Sequence, residues 1–336
     1  MMKTTRTTTN RWERTFDETP ADQPAFFHVE RIRMRKLALL FSTLLATSAV
    51  AQQAATPAPA SLVREGVTEK LTPHVWAIPD GSASLVPNVG IVVGKKAVLV
   101  IDTGMGTRNG ETVLREVNKV GAGKPIYIVT THVHPEHDMG AHVFPKDSKL
   151  LRSKDQIEDI AAGAGMNLVP VFAQRSALNV ELLKDAKHRD ADVVFDRDYS
   201  LDLGGLKAKI YAMGTNHTHG DTAVFVDGVL FSGDVAMRPQ PSFANPAAKI
   251  SHWLESLDKL EALKPKQIVP SHGPFGDVGI IAGYRSYLTH IRDRAVELKK
   301  AGKSQDEAVQ IVTDEMAPQY PDKNRLAGAI RAAYSE

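Results

Sequence analysis

The sequence predicts an α/β fold whose strands repeatedly end in histidine or aspartate. Short runs of Val, Ile and Leu, the pattern of buried strands, alternate with longer segments of helical periodicity. The chain has 336 residues and a hydrophobic content of 43%, which is enough to bury a full core. Because the strand-like runs end in metal-binding residue types, we expect a layered structure with these side chains along one edge.

Residues 1–51 are expected to lie outside the fold. From Met34, two basic residues precede a short apolar run, and small residues follow at positions 49 and 51, the pattern of a secretory signal peptide over residues 34–51. The apolar run is too short to span a bilayer, so no membrane anchor is expected after cleavage behind Ala51. Residues 1–33 are interpreted as an upstream extension that precedes the true start codon. The mature protein is therefore expected to be periplasmic or secreted.

Residues 52–61, rich in Ala and Pro, are expected to form a linker, followed by a domain over residues 62–290. In the first half of this domain, a helix is predicted over 107–120 because its apolar residues share one face. Strands are predicted at 75–78, 89–93, 97–101 and 126–130. Apart from a short helix near 153–162, residues 140–195 show no sustained periodicity, so we expect an irregular excursion there.

The second half of the domain repeats the strand-rich order. Strands are predicted at 206–213, 223–226, 229–231 and 268–270, with a hairpin turn at Asp227 and Gly228. A helix is predicted over 251–263, with Ser251 as its N-cap, and Pro265 follows its end. Residues 291–336 are interpreted as a C-terminal helical extension, with helices at about 279–300, 304–316 and 323–334.

The strand predicted at 126–130 leads directly into a cluster of ligand-type residues, HVHPEHD, at residues 132–138. Side chains two residues apart in an extended segment share a face, so His132 and His134 can converge on one ion. A turn that begins at Pro135 can bring Glu136 and His137 toward a second ion. Neutral imidazole with carboxylate suits zinc, and also iron or manganese.

Three further candidate ligands, His217, Asp234 and His272, also follow predicted strands. A single histidine near a core is more often structural than a ligand. All of these residues sit at strand C-termini, however, and that joint placement favours a shared metal site. His219 and Asp138 lie beside the motifs and are expected to be outside the ligand set.

The composition excludes some classes of function. A formal net charge of +2 gives no strong field for nucleic acid, so no nucleic-acid partner is expected. The absence of cysteine excludes disulfides, zinc–thiolate sites and a cysteine nucleophile. A small-molecule substrate is the partner that the sequence indicates, and the oligomeric state is not indicated.

The segment THVHPEH, residues 131–137, resembles the HxHxDH motif of the metallo-β-lactamase-fold hydrolases. Further matches are His217 in NHTHGD, Asp234 in SGD, His272 in PSHG and Asp102 in IDTG. The resemblance extends over residues 62–287. It implies a four-layer αββα sandwich with a binuclear metal site at one edge of the two sheets.

The resemblance also implies a division of the ligands between two zinc ions. One ion would be held by His132, His134 and His217, and the other by Glu136, His137 and His272, with Asp234 bridging. This chain has Glu136 where the motif has aspartate, and the extra methylene lengthens the reach by about 1.5 Å. The second ion is therefore expected to sit or bind differently, and iron or manganese could replace zinc there.

The implied reaction is hydrolysis of an acyl bond in an ester, lactone, thioester or amide. A hydroxide that bridges the two ions is expected to attack the acyl carbon, with Glu136 orienting it and Asp102 fixing a histidine tautomer. The alternatives are a β-lactamase acting on β-lactam antibiotics and a mononuclear iron oxygenase of the same superfamily. Arg238, in the loop after Asp234, is a candidate ligand for a substrate carboxylate.

Overall fold

Two β-sheets pack face to face, and helices cover both outer faces. The structure is a computed structural model that describes residues 59–336. The upstream extension, the signal peptide and most of the linker at 52–61 lie outside the described residues. The four-layer αββα sandwich and the C-terminal helices expected from the sequence are confirmed.

The first sheet has seven strands in sequential order. Its first four strands pair antiparallel and its last four pair parallel, so β4 belongs to both arrangements. Near-continuous apolar runs such as VLVI in β4 and IYIV in β5 suit strands that are covered on both faces. The strands are β1 (Glu69–Lys70), β2 (Val75–Ile78), β3 (Val89–Val93), β4 (Val98–Ile101), β5 (Ile126–Val129), β6 (Lys149–Ser153) and β7 (Val193–Phe195).

The second sheet has five strands, β8 (Tyr199–Asp202), β9 (Lys207–Gly214), β10 (Asp221–Val226), β11 (Val229–Gly233) and β12 (Gln267–Pro270). Strands β8 to β11 pair antiparallel, and β12 runs parallel to β11. The C-terminal ends of β9, β11 and β12 therefore lie on one edge. That edge meets the C-terminal ends of β4 and β5, because the Thr222 amide donates to the Thr131 carbonyl at 2.7 Å across the two sheets.

Helices occupy the two outer layers and the connections at the shared edge. The helices are α1 (Gly106–Gly121), α2 (Pro135–Asp138), α3 (Lys154–Ala161), α4 (Val169–Ala173), α5 (Ala177–Leu182), α6 (Ile250–Glu261), α7 (Gly279–Lys300), α8 (Gln305–Met316) and α9 (Asn324–Ser335). Helix α7 runs through residue 290 without a break. In the part of the chain that the structure describes, no helix has the length and apolarity needed to cross a bilayer.

Three of the four buried apolar clusters in the described chain lie on the faces of the two sheets. Between the sheets, Leu99 and Val129 of the first sheet pack in one cluster with Phe231 of the second. The outer face of the first sheet packs on α1, and the outer face of the second packs on α6 to α9. Each fully buried Val, Leu, Ile or Phe contributes about 1.5–3 kcal/mol, so these clusters hold the shared edge firmly in place.

Two local expectations from the sequence are wrong. Residues 140–195 are not an irregular excursion, because they contain β6, β7, α4 and α5. Helix α6 begins at Ile250, and Ser251 is not its N-cap. Instead, the carboxylate of Glu336, at the end of α9, accepts hydrogen bonds from the amides of Ile250 and Ser251. This is a capping partner that is remote in sequence, and local pattern cannot reveal it.

Candidate metal centre

The ends of four strands deliver all seven candidate ligands to the shared edge. Strand β5 leads to His132 and His134, and α2 carries Glu136 and His137. Helix α2 begins at Pro135, whose fixed φ suits the first position of a helix, so the chain turns there as expected. The turn after β9 supplies His217, Asp234 directly follows β11, and His272 follows β12.

The ligand atoms fall into overlapping groups of three, and within each group they lie within 4.8 Å of one another. His134 Nδ1 is 3.2 Å from His217 Nε2, which in turn lies 3.3 Å from Asp234 Oδ2. The groups are His132, His134 and His217; His132, His137 and Asp234; and Glu136, His137 and His272. These are the residue sets that the resemblance assigns to the two ions, with Asp234 in the group between them, and the division between two ions stays a prediction.

Two backbone carbonyls and one carboxylate fix the tautomers of three imidazoles. His217 Nδ1 donates to the Phe243 carbonyl at 2.6 Å, and His272 Nδ1 donates to the Val86 carbonyl at 2.9 Å. His137 Nδ1 lies 2.9 Å from Asp102 Oδ2. Because these oxygens only accept, each ring in its neutral form carries its hydrogen on Nδ1, and its Nε2 is then left for the candidate centre.

The Thr131 hydroxyl fixes the tautomer of His132. The Thr131 hydroxyl donates to Asp102 Oδ2 at 3.0 Å, so its single hydrogen is used. Thr131 Oγ1 must then accept from His132 Nδ1, which lies 3.1 Å away. Asp102 thus sets two tautomers, that of His137 directly and that of His132 through Thr131.

Asp102 reaches these partners from an uncommon backbone conformation. Its φ is +63°, in the left-handed region that aspartate and asparagine enter more readily than most residues. The conformation ends β4 and turns the carboxylate toward the next strand, where it also accepts the Thr131 amide at 2.7 Å. The placement brings the carboxylate beside His137, and the role expected for Asp102 at a ligating histidine stays a prediction.

The donor set fits divalent cations. Among the described residues, His132 Nε2, His137 Nε2, Glu136 Oε2 and Asp234 Oδ1 are buried and have no hydrogen-bond partner. A buried polar atom without a partner costs about 1–3 kcal/mol, and these four all belong to candidate ligands. Imidazole nitrogens and carboxylate oxygens are ligands of zinc, iron and manganese, so bound cations would satisfy all four.

Burial and mutual repulsion keep two of the imidazoles neutral. Burial first, and then the neighbouring imidazoles, lower the pKa of His132 and His134 well below the usual value. Burial also lowers the pKa of His137, but Asp102 and Glu136 outweigh it and raise that pKa to about 9. Burial raises the pKa of Asp234, but the imidazoles of His217 and its neighbours outweigh it and lower the value to about 2.

Glu136 stays within reach of its group despite the longer side chain. Its Oε1 lies 3.9 Å from His137 Nε2, and it shares a group of three with His272. The residue is buried, at 5% exposure, so the carboxylate points inward from α2. The expectation that the second ion sits or binds differently stays a prediction, as does its identity.

Asp221 is a supporting residue that sequence reasoning missed. Its carboxylate accepts the His217 amide at 2.7 Å, the Thr218 amide at 3.0 Å and the Thr218 hydroxyl at 2.6 Å. It therefore closes the turn that carries His217. Burial raises the pKa of Asp221 to about 6, although His217 and Thr218 oppose this. Its position four residues after His217 in NHTHGD was the available signal.

Asp138 and His219 have different surroundings. Asp138 is fully buried and pairs with Arg152 at 2.7 Å and with His188 at 2.5 Å. Arg152 is itself fully buried in β6, so a charged pair underlies α2. His219 is half-buried, and its Nε2 lies 3.3 Å from Glu158 Oε2. Asp138 and His219 both lie outside the three ligand groups described above. In the sequence, a charged Arg152 within an otherwise apolar strand was the available indication of a buried ion pair.

Arg238 is exposed, and its guanidinium donates to the Phe275 carbonyl at 2.8 Å. The contact ties the loop after Asp234 to the loop after β12. A role for Arg238 in binding a substrate carboxylate stays a prediction.

The sequence profile of the metallo-beta-lactamase superfamily matches residues 84–272 of the chain. A linear primary-alkylsulfatase from Pseudomonas sp. (strain ATCC 19151) is 23% identical over 263 residues, which are 66% of this chain and 49% of the relative. The chain thus spans about half the length of that curated relative.

Solved structures share the fold. A metallo-beta-lactamase from Pontibacter korlensis has a TM-score of 0.50 at 24% identity, covering 65% of this chain and 96% of its own. The stereoselective inverting sec-alkylsulfatase Pisa1 from Pseudomonas sp. has a TM-score of 0.60 at 16% identity, covering 79% of this chain and 49% of its own. At such identities the likeness shows the fold, whereas the profile match covers more than half of the chain and shows the family. The chain belongs to the metallo-beta-lactamase superfamily, a superfamily of metal-dependent hydrolases.

Proposed function

We propose that the protein is a binuclear metal-dependent hydrolase that cleaves an acyl bond in an ester, lactone, thioester or amide. The observation that carries the proposal is the convergence of Nε2 lone pairs from His132, His137, His217 and His272, each fixed by a partner on Nδ1. Metal-ligating imidazoles almost always donate their second ring hydrogen to a partner in this way.

Two groups of residues would hold the ions. His132, His134 and His217 form one ligand group, and Glu136, His137 and His272 form the other. Asp234 lies beside His217 and also shares a group with His132 and His137, which suits a bridging carboxylate. Zinc is the proposed metal for both sites, with iron or manganese as alternatives at the second. When bound, a pair of divalent cations polarises a carbonyl oxygen and lowers the pKa of water toward 7.

The protein side chains contribute orientation and proton handling. Asp234, with its pKa near 2, is ionised at neutral pH and supplies a fixed negative charge between the two groups. Glu136 Oε2 is buried and without a partner in the described chain, so it is placed to accept the proton of an attacking water. When His137 is neutral, as a metal ligand must be, Asp102 holds its ring hydrogen at Nδ1 and leaves Nε2 for the ion.

Sulfate-ester hydrolysis is a second candidate, because the curated relative is named an alkylsulfatase. An alkyl sulfate already has negative charge on its sulfate oxygens, and an acyl compound develops negative charge on its carbonyl oxygen when it is attacked. The same paired cations would stabilise either kind of transition state. Because the alkylsulfatase is only 23% identical to this chain, sulfate-ester hydrolysis is the second candidate and acyl hydrolysis is the first.

A hydrolysis panel tests the proposal. Zinc-loaded wild type would be assayed with lactones, thioesters, carboxylic esters, β-lactams and linear alkyl sulfates, beside His134→Ala and the exposed-site control His74→Ala. We expect turnover of at least one acyl substrate by wild type and His74→Ala, and loss of about 100-fold or more in His134→Ala. Turnover of alkyl sulfates alone would favour the second candidate. Equal rates in all three proteins would exclude this centre as the source of activity.

Metal analysis distinguishes the iron oxygenase alternative. Protein purified without added metal would be analysed for iron and zinc, and oxygen uptake would be followed in parallel. About one iron per chain, no zinc and oxygen consumption would favour the oxygenase, whereas two divalent ions without oxygen uptake would favour the hydrolase.

We also propose that the enzyme is exported, acts on a small molecule and has no membrane anchor. The support is the basic, apolar and small-residue order over residues 34–51. N-terminal sequencing of the native protein should begin at Gln52. A native N-terminus before Ala49 would contradict cleavage at this site.

A further inference from the structure

The segment between β11 and α6 holds two candidate ligands through backbone carbonyls and a serine hydroxyl. The Ser242 hydroxyl donates to the Asp234 carbonyl at 2.7 Å, and the Phe243 carbonyl accepts from His217 Nδ1 at 2.6 Å. The amide of Asn245 donates to the carbonyl of the residue before His217 at 3.0 Å. Residues 242–245, the positioning segment, therefore contact the chain at both of these ligands.

Helix α7 fixes the positioning segment through Tyr284. The Ser242 amide donates to Tyr284 Oη at 3.2 Å, and the hydroxyl oxygens of the two residues lie 2.8 Å apart. Because the Ser242 hydroxyl hydrogen is directed to Asp234, the Tyr284 hydroxyl must donate to Ser242 Oγ. Burial raises the pKa of Tyr284, so the phenol keeps this proton at neutral pH.

Helix α9 supports the same segment from a second direction. Arg325 Nη1 donates to the Pro241 carbonyl at 3.1 Å, and the guanidinium carbon lies 5.1 Å from the centroid of the Phe243 ring. The residues on both sides of Ser242 are therefore held from α9, while Ser242 itself is held from α7. The C-terminal helices thus contact the chain that carries the ligands as well as the second sheet.

We propose that Tyr284 is a positioning residue for the metal centre, acting through Ser242 to hold Asp234 and His217 where they bind metal ions. The ligand assignment behind this inference rests on the proposed function. Partners that orient metal ligands from outside are worth about 10–100-fold in metal affinity, and we expect a loss of that size when the Tyr284 hydroxyl is removed.

Tyr287 supplies a matched control one helical turn away. Tyr284 and Tyr287 are each 3% exposed, and their ring centroids are 5.4 Å apart. The Tyr287 hydroxyl is buried and has no hydrogen-bond partner among the residues described. Tyr284→Phe and Tyr287→Phe each remove one oxygen and keep the ring, but only Tyr284→Phe breaks the link to Asp234.

The test compares full-length wild type, Tyr284→Phe, Tyr287→Phe and Ser242→Ala after removal of metal by a chelator. Zinc affinity and stoichiometry would be measured by competition with a chromophoric chelator. The d–d spectrum of the Co²⁺-substituted proteins would report ligand geometry, and thermal unfolding of the zinc-free proteins would report the fold. We expect 10–100-fold weaker zinc binding and an altered Co²⁺ spectrum in Tyr284→Phe and Ser242→Ala, and neither change in Tyr287→Phe.

The outcomes of this test distinguish an error in the role of Tyr284 from an error in the proposed function. If wild type binds zinc but Tyr284→Phe keeps the wild-type affinity and spectrum, the positioning role is overturned, even if the zinc-free protein unfolds at a lower temperature. If Tyr287→Phe weakens zinc binding as much as Tyr284→Phe, the effect is general packing and the inference also fails. If wild type binds no zinc and hydrolyses nothing in the panel, the proposed function and this inference fall together.

Discussion

Replacement of Asp102 by asparagine tests how the tautomers of the candidate ligands are set. Asparagine has the same shape and also tolerates the left-handed backbone of residue 102, where φ is +63°. Its oxygen can still accept the Thr131 amide, but its NH₂ group would replace Oδ2, which faces the Thr131 hydroxyl and His137 Nδ1. His137 could then pair with the amide only by moving its ring hydrogen to Nε2, where it would block metal binding.

The size of the expected loss in zinc affinity follows from the hydrogen bond between His137 and Asp102 that the substitution removes. His137 Nδ1 lies 2.9 Å from Asp102 Oδ2, and both residues are 1% exposed or less. A hydrogen bond to a charged group contributes about 1.5–3 kcal/mol, and each 1.4 kcal/mol is a factor of ten. We therefore expect the zinc Kd at the site that contains His137 to rise by about 10–100-fold, in line with measured effects of such partners. Because Thr131 must also reorient, binding through His132 should weaken as well.

The assay is a zinc competition titration, with Asp227→Asn as the control. Asp227 also has a positive φ, +50°, but it lies exposed at the tip of the β10–β11 hairpin, at the opposite end of β11 from Asp234. Asp227→Asn should bind zinc as wild type does. A folded Asp102→Asn variant with wild-type stoichiometry and a Kd within twofold of wild type would refute the tautomer argument.

Three further expectations concern stability. Arg152→Met leaves Asp138 buried without its main partner and should lower the free energy of unfolding by about 3 kcal/mol, read from urea midpoints at constant slope; a change below 1 kcal/mol would contradict it. Glu336→Ala removes the cap of α6 and should cost about 0.5–1 kcal/mol in the same assay, where an unchanged midpoint would count against the cap. The hydrogen bond from the Ser304 amide is the largest of the effects that lower the pKa of Glu307 from 4.5 to about 2. The ionised Glu307 carboxylate therefore stabilises the folded state fully above pH 4.5, and this stabilisation is lost as pH falls through 2. The Tm difference between wild type and Glu307→Gln should therefore shrink steadily as pH falls from 4.5 through 2, and a constant difference would contradict the assignment.

Much of the fold could be predicted because its strands are short apolar runs with polar ends. Strands β2 and β3 begin and end at the predicted residues, and the hairpin turn at Asp227 and Gly228 is where the sequence places it. Segments stabilised by remote partners could not be predicted. Strand β6 carries Arg152, whose charge is neutralised by Asp138 on another element, so the strand lacks an apolar pattern. The cap of α6 comes from the far end of the chain.

In the site, too, local sequence motifs reveal the candidate ligands, but they do not reveal the partners that are remote in sequence. Motif spacing is sufficient to identify all seven ligand candidates, because each follows a strand whose end lies at the shared edge. The atoms that orient the rings leave no trace in sequence, since the carbonyls of Val86 and Phe243 belong to backbone that every residue has. Tyr284 is similarly hidden, because a buried tyrosine on an amphipathic helix is ordinarily core.

Metal content is the measurement that tests the central claim most directly. Wild type, His217→Ala and His272→Ala would be purified as full-length proteins, dialysed against metal-free buffer and analysed for bound divalent ions per chain. We expect two ions in wild type and about one in each variant, because each variant removes a ligand from a different group. The same metal content in all three proteins, or none in wild type, would contradict the claim that these strand ends form a binuclear centre.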